Sequence, residues 1–274
     1  MGKVRYKIRL TIFLLLPLLF TPMSSQQMRI IILENEGLFI QSGQDKILID
    51  AFTRSHNPEE ESTKKMVEFR EKMMSGQSPF DNIELALISH PHREHFIPEV
   101  AIEFLIKHPE TVLVSSPSVI AAIHDKAQEQ PDIQKRLKAM DASLGKISSF
   151  KRGNLRIEVL PFKHEASMFY EEVVLGYIIH LGSQQILHVG DAEMNEKNWK
   201  SYNLKERNIN LALVPFWLYK EEVTRKIIDE YVNPEKTVVI QILSNEQQKK
   251  AKELSKTLSD VIFLTHPLDS ITLP

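Results

Sequence analysis

The chain of 274 residues is nearly neutral, with 34 Lys and Arg against 36 Asp and Glu and a formal net charge of −2. Its hydrophobic fraction of 42% is typical of a globular protein with a core, which excludes a disordered chain. The absence of cysteine excludes disulfides, thiolate nucleophiles and zinc sites built from cysteine. A metal ion in this protein must therefore be held by His, Asp or Glu.

Residues 1–25 are predicted to be a secretory signal peptide. The first nine positions carry four basic residues and no acidic residue, the apolar run LTIFLLLPLLF follows, and small residues come at the exit. The apolar run is short for a membrane span. We therefore expect a domain over residues 26–274 that is exported to the periplasm or the extracellular space. An uncleaved N-terminal membrane anchor is the alternative.

Loss of the leader, which carries four of the basic residues, leaves 30 basic against 36 acidic residues and a net charge near −6. Beyond the leader, basic residues form only short clusters such as Lys249 and Lys250. A nucleic-acid partner needs concentrated Lys and Arg to neutralise phosphates, so we expect none. The expected partner is a small-molecule substrate, and contact with a membrane is expected only through an uncleaved leader.

The first half of the domain predicts hairpins followed by strand–helix units. Three short apolar runs between Met28 and Asp50 are separated by turn residues and predict a three-stranded meander. The charged residues 57–74 predict a helix, and IELALIS is a buried strand that ends at a group of histidines. Residues 98–108 favour a helix, TVLVSS a strand, and residues 117–140 one or two helices.

The second half repeats this order. Strands are predicted at ISSF, LRIEVLPF, LGYIIHLG, QQILHVGD and INLALVPFW. A helix over residues 221–231, the strand TVVIQIL, a helix over residues 245–258 and the strand VIFLT complete the chain. Hairpins and strand–helix–strand units in both halves indicate one α/β domain, with two packed sheets and helices outside.

The segment ISHPHREHF places His90, His92 and His95 within nine residues, although the whole chain has ten histidines. In an extended segment His90 and His92 point to the same side, and His95 follows where the loop enters a helix. Imidazole is the commonest zinc ligand, and sets of His and carboxylate also suit iron and manganese. We interpret the segment as a metal site; a solvated loop rich in histidine is the alternative.

Two other candidate ligands follow strands. His164 comes just after LRIEVLPF, and Asp191 follows Gly190, whose missing side chain lets the backbone turn close to a metal. In layered α/β folds, sites collect at the carboxyl ends of strands, which favours one shared site. Taken alone, Asp191 would be interpreted as a turn residue.

These motifs resemble those of the metallo-β-lactamase superfamily of metal-dependent hydrolases, whose fold is a four-layer αβ/βα sandwich. GLFIQSGQDKILIDA is similar to the family's opening hairpin and Asp-ending strand, and SHPHREHF to its His-x-His-x-Asp-His motif. LHVGDAE is similar to the fourth motif of the lactonase-like and phosphodiesterase-like single-domain branch. The resemblance covers the chain after the leader.

The resemblance implies a zinc site for one or two ions, with manganese and iron as further metals that suit the ligands. The implied ligands are His90, His92 and His164 for the first ion and Glu94, His95 and Asp191 for the second. Asp191 and a hydroxide would lie between the ions, and Asp191 and Glu94 would be the catalytic carboxylates. The implied reaction is hydrolysis of an ester, lactone, amide or phosphodiester bond.

Two positions depart from the family's pattern. Glu94 stands where the family has Asp, and its extra methylene moves the carboxylate by roughly 1.5 Å. Leu243 lies in the segment where the family has its last histidine ligand. These departures favour, as the alternative to an active enzyme, a catalytically impaired relative that binds a metal or another ligand. His266 ends a neighbouring strand and is a candidate replacement ligand, or else a strand-end histidine without that role.

Four further residues are candidates around the site. Asp50 is expected to orient a ligand histidine through a hydrogen bond, or to be a plain strand-end residue. His188, Trp217 and Tyr170 are candidates for the wall of the substrate pocket, with a structural role as the alternative for each.

Overall fold

The computed structural model describes residues 27–33, 36–54, 61–165, 172–242 and 244–273. Residues 1–25, predicted as a leader, lie outside the described residues. Within the described ranges, fourteen strands form two seven-stranded sheets. In the same ranges, no helix is both long and apolar enough to cross a membrane.

The first sheet combines the predicted meander with parallel strands. Its members are β1 (Met28–Ile32), β2 (Leu38–Ser42), β3 (Asp45–Ile49), β4 (Leu85–Leu87), β5 (Val112–Ser115), β6 (Leu137–Ala139) and β14 (Ser270–Leu273). The spatial order is β14-β1-β2-β3-β4-β5-β6. Strands β14 to β3 pair antiparallel, and β3 to β6 pair parallel.

The second sheet repeats the same change of direction. Its members are β7 (Ser148–Arg152), β8 (Leu155–Lys163), β9 (Val173–Leu181), β10 (Gln184–His188), β11 (Leu211–Pro215), β12 (Lys236–Ile240) and β13 (Val261–Phe263). Strands β7 to β10 pair antiparallel, and β10 to β13 pair parallel. The predicted likeness of the two halves is therefore confirmed in the topology.

The helices lie mostly where the sequence predicts them. They are α1 (Glu61–Ser75), α2 (Pro98–Lys107), α3 (Pro117–Lys126), α4 (Pro131–Gln134), α5 (Glu196–Lys200), α6 (Phe216–Tyr219), α7 (Glu222–Tyr231) and α8 (Asn245–Leu254), with a 3₁₀ helix at Leu204–Arg207. Proline at the first turn begins α2, α3 and α4, because its fixed φ suits that position. A capping box between Ser244 and Gln247 begins α8.

Three details of the predicted elements are wrong. Residues 117–140 contain not only helices but also the short strand β6. The helix that starts at Asn245 ends at Leu254, four residues before the predicted end. The chain does not close with VIFLT, because β14 follows and pairs with β1 at the edge of the first sheet.

The core consists of one layer between the sheets and one layer outside each sheet. On β3, Ile47 and Ile49 face the layer between the sheets, whereas Leu48 packs under the helices of the first half. On β11, Leu213 faces the same central layer, and Val214 packs under the helices of the second half. Both faces of these strands are buried, as in sheets that helices cover. The four-layer αβ/βα sandwich expected from the sequence is confirmed.

Candidate metal centre

The three histidines of the predicted site are brought together by the loop after β4. His90 comes three residues after the last residue of that strand, and His92 lies two residues further on. Backbone N–H groups of His95 and Phe96 both donate to the carbonyl of His92, at 3.0 and 2.8 Å. This tight turn returns His95 toward His90, whose ring centroid lies 4.1 Å away.

His164 joins this loop from the second sheet. It follows β8 and forms an isolated antiparallel bridge with Ala192. Its ring centroid lies 4.9 Å from that of His90 and 4.7 Å from that of His92. Nε2 of His90 and Nδ1 of His92 are 3.0 Å apart. One nitrogen of each of the three rings can be chosen so that all lie within 4.8 Å of one another, a spacing that could hold a metal ion.

A second group of possible ligands consists of His90, His95 and Asp191 and therefore shares His90 with the first. Oδ2 of Asp191 is 3.5 Å from Nε2 of His95 and 3.8 Å from Nε2 of His90. The same oxygen is 3.7 Å from Nε2 of His164. Asp191 thus stands between the two groups of ligands, where a carboxylate could bridge two ions.

The buried polar atoms of the second group fit a cation. Among the described residues, Nε2 of His95 and Oδ1 of Asp191 have no hydrogen-bond partner, although both atoms are buried. Unpaired buried polar atoms cost free energy, which coordination of a metal would offset. The donor set, imidazoles with a carboxylate, suits zinc, iron and manganese.

Asp50 and Ser89 fix the orientation of two of these rings. The Ser89 N–H donates to Oδ1 of Asp50 at 2.7 Å, and the Ser89 hydroxyl donates to Oδ2 at 2.6 Å. Nδ1 of His95 lies 3.0 Å from the same Oδ2 and can only donate to a carboxylate. Nδ1 of His90 lies 2.9 Å from the Ser89 hydroxyl oxygen and donates to it. Both rings therefore carry their proton on Nδ1, which leaves Nε2 available to a metal in the neutral ring.

The histidines of the site differ in the direction in which their surroundings shift their pKa values. Burial and the neighbouring imidazoles lower the pKa of His90 well below its ordinary value, and burial lowers the pKa of His164. Burial alone would also lower the pKa of His95, but the Asp50 and Asp191 carboxylates outweigh it and raise that pKa well above its ordinary value. At neutral pH His90 and His164 are therefore unprotonated and ready to coordinate, whereas His95 must release a proton.

Two predicted ligands lie outside both groups. Glu94 is exposed and belongs to neither group of possible ligands. His266 is also exposed, with 63% of its side chain accessible, and Nδ1 of its ring lies 3.7 Å from Oδ2 of Asp269. Neither residue is brought together with the buried imidazoles and Asp191 in this structure.

The residues predicted to wall the pocket are placed differently from one another. His188 ends β10, is fully buried, and is close enough to His95 and Asp191 for their charges to affect its pKa, which burial lowers. Trp217 lies half-buried in α6, and its indole N–H donates to Oε1 of Gln241 at 3.1 Å. Tyr170 and Leu243 lie outside the described residues.

Sequence reasoning missed two residues beside the centre. Ser89 connects Asp50 with His90, and Glu36 is a buried acid in the turn between β1 and β2. Ser89 is flanked by the histidine motif, and its position before His90 was the available signal. Glu36 belongs to a predicted turn, where an acidic residue is ordinarily solvated, so nothing in the sequence pattern distinguished it.

Comparisons with known proteins support the fold alone. No family model matches the sequence, and no curated protein matches it. A solved structure of Igni18, a metallo hydrolase from the archaeon Ignicoccus hospitalis, is similar with a TM-score of 0.57 and 16% identity, over 90% of this chain and 99% of that chain. Zinc-bound PqqB from Methylobacterium extorquens is similar with a TM-score of 0.54 and 11% identity, over 90% and 100%.

A third similar structure carries a different metal. CmlA from Streptomyces venezuelae, a diiron β-hydroxylase, is similar with a TM-score of 0.58 and 13% identity, over 91% of this chain and 54% of that chain. The three proteins share a fold, yet one is zinc-bound and another is a diiron hydroxylase, so likeness of fold does not give the metal of this chain. The chain has the metallo-β-lactamase fold that the motifs of its sequence lead one to expect.

Proposed function

We propose that this protein is a metal-dependent hydrolase that cleaves an ester, lactone, amide or phosphodiester bond in a small molecule. One observation carries the proposal: the two groups of ligands share His90, and Oδ2 of Asp191 in the second group lies 3.7 Å from Nε2 of His164 in the first. Structural sites of zinc enclose the ion in four protein ligands, whereas catalytic sites keep a position open for water or substrate. The first group offers three ligand atoms, which is the number found in catalytic sites.

The residues of the chain have separate tasks in this proposal. A metal ion, when bound, supplies a Lewis acid and makes water nucleophilic at neutral pH. His90, His92 and His164 would hold the ion that supplies this chemistry, and Asp191 would orient groups between the two sets of ligands. Asp50 holds the ring of His95 so that Nε2 faces Asp191.

Zinc is the metal that we propose, because imidazoles dominate the first group and zinc takes such ligands in a tetrahedral site. Iron and manganese also accept sets of His with carboxylate, and the similar structures include a zinc protein and a diiron protein. Reconstitution of the metal-free protein with each metal separately, followed by the assay below, distinguishes them.

Turnover of small-molecule substrates tests the proposal. The wild-type protein, loaded with zinc, is assayed against a panel of esters, lactones, amides and phosphodiesters. We expect hydrolysis of at least one class, and a loss of more than about a hundredfold in kcat/KM in His92→Ala, because the first ion is no longer held. His124→Ala is the matched control, since His124 is exposed and lies outside both groups. Equal activity in the two variants would contradict the proposal.

A metal-binding relative without turnover is the second candidate. The exposed position of Glu94 favours it, because the family's acid at this place would be a ligand of the second ion. In that case the protein binds metal through His90, His92 and His164, yet none of the four substrate classes is cleaved at any metal loading. The substrate panel therefore separates the two candidates.

We also propose that residues 1–25 direct export, and that the mature protein acts in the periplasm or the extracellular space. The basic head, the short apolar run and the small residues of the exit support this proposal. The N-terminal sequence of the protein isolated from cells tests it: a start near residue 26 indicates a cleaved leader, and a start at Met1 indicates retention as an anchor.

A further inference from the structure

A groove lies between the helices α2 and α3 and the histidine loop, which comprises residues 88–97. The groove has a volume of about 500 Å³, within the range of pockets that take small molecules. Its lining includes Arg54, Pro91, Arg93, Ile97, Glu99 and Lys126. Within the described part of the chain, no member of either group of candidate metal ligands lines it. The groove is therefore distinct from the metal centre.

Backbone contacts fix the position of one wall of the groove. Phe52 and Phe96 form a parallel bridge, and the N–H of Ile97 donates to the carbonyl of Phe52 at 2.7 Å. Arg54 follows Phe52 by two residues and so lies beside the end of the histidine loop. The segment that carries Arg54 is thus attached to the loop by its backbone, and the groove does not depend on side-chain packing alone.

The lining of the groove carries an excess of positive charge. Lys126 of α3 and Glu99 of α2 neutralise each other, with Nζ and Oε1 2.6 Å apart. In the described ranges Glu99 is the only acid of the lining, since Glu94 does not line the groove. Arg54 and Arg93 are both exposed, and no salt bridge to a described residue neutralises either of them. Two guanidinium groups are therefore available to an anion.

The groove begins one residue away from the first group of metal ligands. Pro91 and Arg93 line it and flank His92, whose Nδ1 lies 3.0 Å from Nε2 of His90. The Cα atoms of neighbouring residues are about 3.8 Å apart, and the side chain of arginine is longer than this separation. The guanidinium of Arg93 and the ligands of the first ion therefore lie within the span of one small molecule.

We propose that the groove binds a carboxylate or phosphate group of the substrate, with Arg54 and Arg93 as the binding residues. The inference rests on the proposed hydrolase function and adds a substrate class to it: small molecules that carry an anionic group as well as the bond that is cleaved. Guanidinium groups bind both kinds of anion through paired N–H donors. The half-buried Pro91 and Ile97 offer apolar contacts to the hydrocarbon part of such a molecule.

Titration of the metal-free, full-length protein, followed by NMR spectroscopy, tests the inference. The metal is removed because a bound ion would itself attract the anionic probes. The probes are benzoate, phenyl phosphate and, as a neutral analogue, benzyl alcohol. We expect the wild type to bind at least one of the anions and to bind benzyl alcohol much more weakly. Binding of benzoate alone identifies a carboxylate as the group that is recognised, and binding of phenyl phosphate alone identifies a phosphate.

Variants of the two arginines test which residues bind the anion. Arg54→Gln and Arg93→Gln should each weaken its binding by about five- to tenfold, because each removes charge-assisted hydrogen bonds. Arg29→Gln is the matched control, since it removes the same charge from an exposed residue of β1 that does not line the groove. The inference is overturned if the wild type binds neither anion, if benzyl alcohol binds as tightly, or if both groove variants bind as the control does.

Kinetics of the zinc-loaded enzyme test whether the groove serves the substrate. Phenyl acetate and para-acetoxybenzoate are esters that differ by one carboxylate. We expect Arg93→Gln to raise KM for para-acetoxybenzoate by about five- to tenfold and to leave kcat and the hydrolysis of phenyl acetate unchanged. Equal effects on the two esters, or no effect on either, would overturn the inference. Absence of turnover with every substrate class counts instead against the proposed function, and the titration of the metal-free protein then decides on the groove.

Discussion

The carboxylate of Asp50 accepts from the Ser89 backbone, the Ser89 hydroxyl and the ring of His95. Asp50 is fully buried and adopts a left-handed backbone conformation, with φ of 48°, which is uncommon outside glycine. Burial alone would raise the pKa of this carboxyl, but His95 and Ser89 outweigh it and lower the pKa. Asp50 is thus ionised and acts on the metal centre through the rings that it orients.

Asp50→Asn should weaken zinc binding while keeping the size of the side chain. An amide facing Nδ1 of His95 offers an N–H in place of a carboxylate oxygen, so the ring proton would move to Nε2, the atom that faces Asp191. Loss of such an orienting partner typically costs 10–100-fold in metal affinity, and we expect about that loss for the zinc dissociation constant.

Competition with a chromophoric chelator measures this dissociation constant. Asp132→Asn is the control, because the Asp132 side chain is 88% exposed and pairs with Lys135 instead. An Asp50→Asn protein that is folded and binds zinc as tightly as the control would show that Asp50 does not orient a ligand.

Five of the candidate ligands could be identified from the sequence because their positions follow from local rules. His90 and His92 share a side by strand periodicity, His95 follows one short turn later, and His164 and Asp191 end strands of one sheet edge. The exposure of Glu94 and the burial of Glu36 could not be predicted. Both depend on how loops from distant parts of the chain are placed in the folded protein, which no sequence spacing encodes.

At the scale of elements, the turn after β10 places the side chain of Asp191 in the candidate metal centre. Gly190 has φ of +53°, and a Cβ at this position would lie 2.7 Å from Cγ1 of Val174 and 3.2 Å from Cβ of Ser89. Glycine is therefore required both by the backbone conformation and by the close approach of β9 and the histidine loop. The turn joins the two sheets at the metal centre.

Gly190→Ala should destabilise the fold by about 2 to 5 kcal/mol, from backbone strain of about 1–2 kcal/mol and overpacking of about 1–3 kcal/mol. Urea unfolding with an unchanged m-value measures the loss. Gly182→Ala separates the two causes, because Gly182 has φ of +57° but a Cβ added there would meet no atom within 4 Å. We expect Gly182→Ala to lose stability only through backbone strain, and therefore to lose less than Gly190→Ala. Equal losses of stability in both variants would contradict the packing argument.

The long apolar strands could be predicted, whereas the short strands β6 and β14 could not. LRIEVLPF and LGYIIHLG contain enough alternating or continuous apolar residues to define a strand, and they form β8 and β9. The strands β6 and β14 have three and four residues and lie at sheet edges. Their conformation depends on the neighbour that they pair with, and such pairing acts over distances that local patterns do not cover.

At the scale of the whole molecule, two sheets bring histidines from distant segments to one place. His90 and His95 come from the first sheet's edge, and His164 and Asp191 from the second sheet. The apolar layer between the sheets packs them against each other and so fixes the relative position of these edges. Metal binding should therefore stabilise the whole fold. An ion that binds only the native state adds RT ln(1 + [L]/Kd) to the free energy of unfolding, which is about 2.7 kcal/mol when the free ion is at a hundredfold excess over Kd.

This metal-dependent stabilisation should grow with pH. In the metal-free protein the raised pKa of His95 means that its ring is protonated, and zinc must displace that proton. Protonated His95 therefore stabilises the metal-free folded protein fully at pH values below the ordinary histidine pKa. This stabilisation is lost as the pH rises through the raised pKa of His95. His90 and His164, whose pKa values are lowered, do not compete with the metal near neutrality.

Thermal unfolding with and without saturating zinc measures the effect. We expect the zinc-induced rise in Tm to be larger at about pH 8 than at about pH 6, where His95 holds its proton more firmly. His90→Ala should show no rise at either pH, because both groups of ligands lose a member. A rise in Tm that is equal at the two pH values would contradict the protonation of His95.

Elemental analysis of the purified protein tests the central claim most directly. After exchange into metal-free buffer, the wild type and His124→Ala should each retain at least one ion per chain. His92→Ala and His164→Ala should each lose the ion of the first group, because a site with two of its three ligands cannot hold the ion against dilution. Equal metal content in all four proteins would show that these histidines do not form the metal centre.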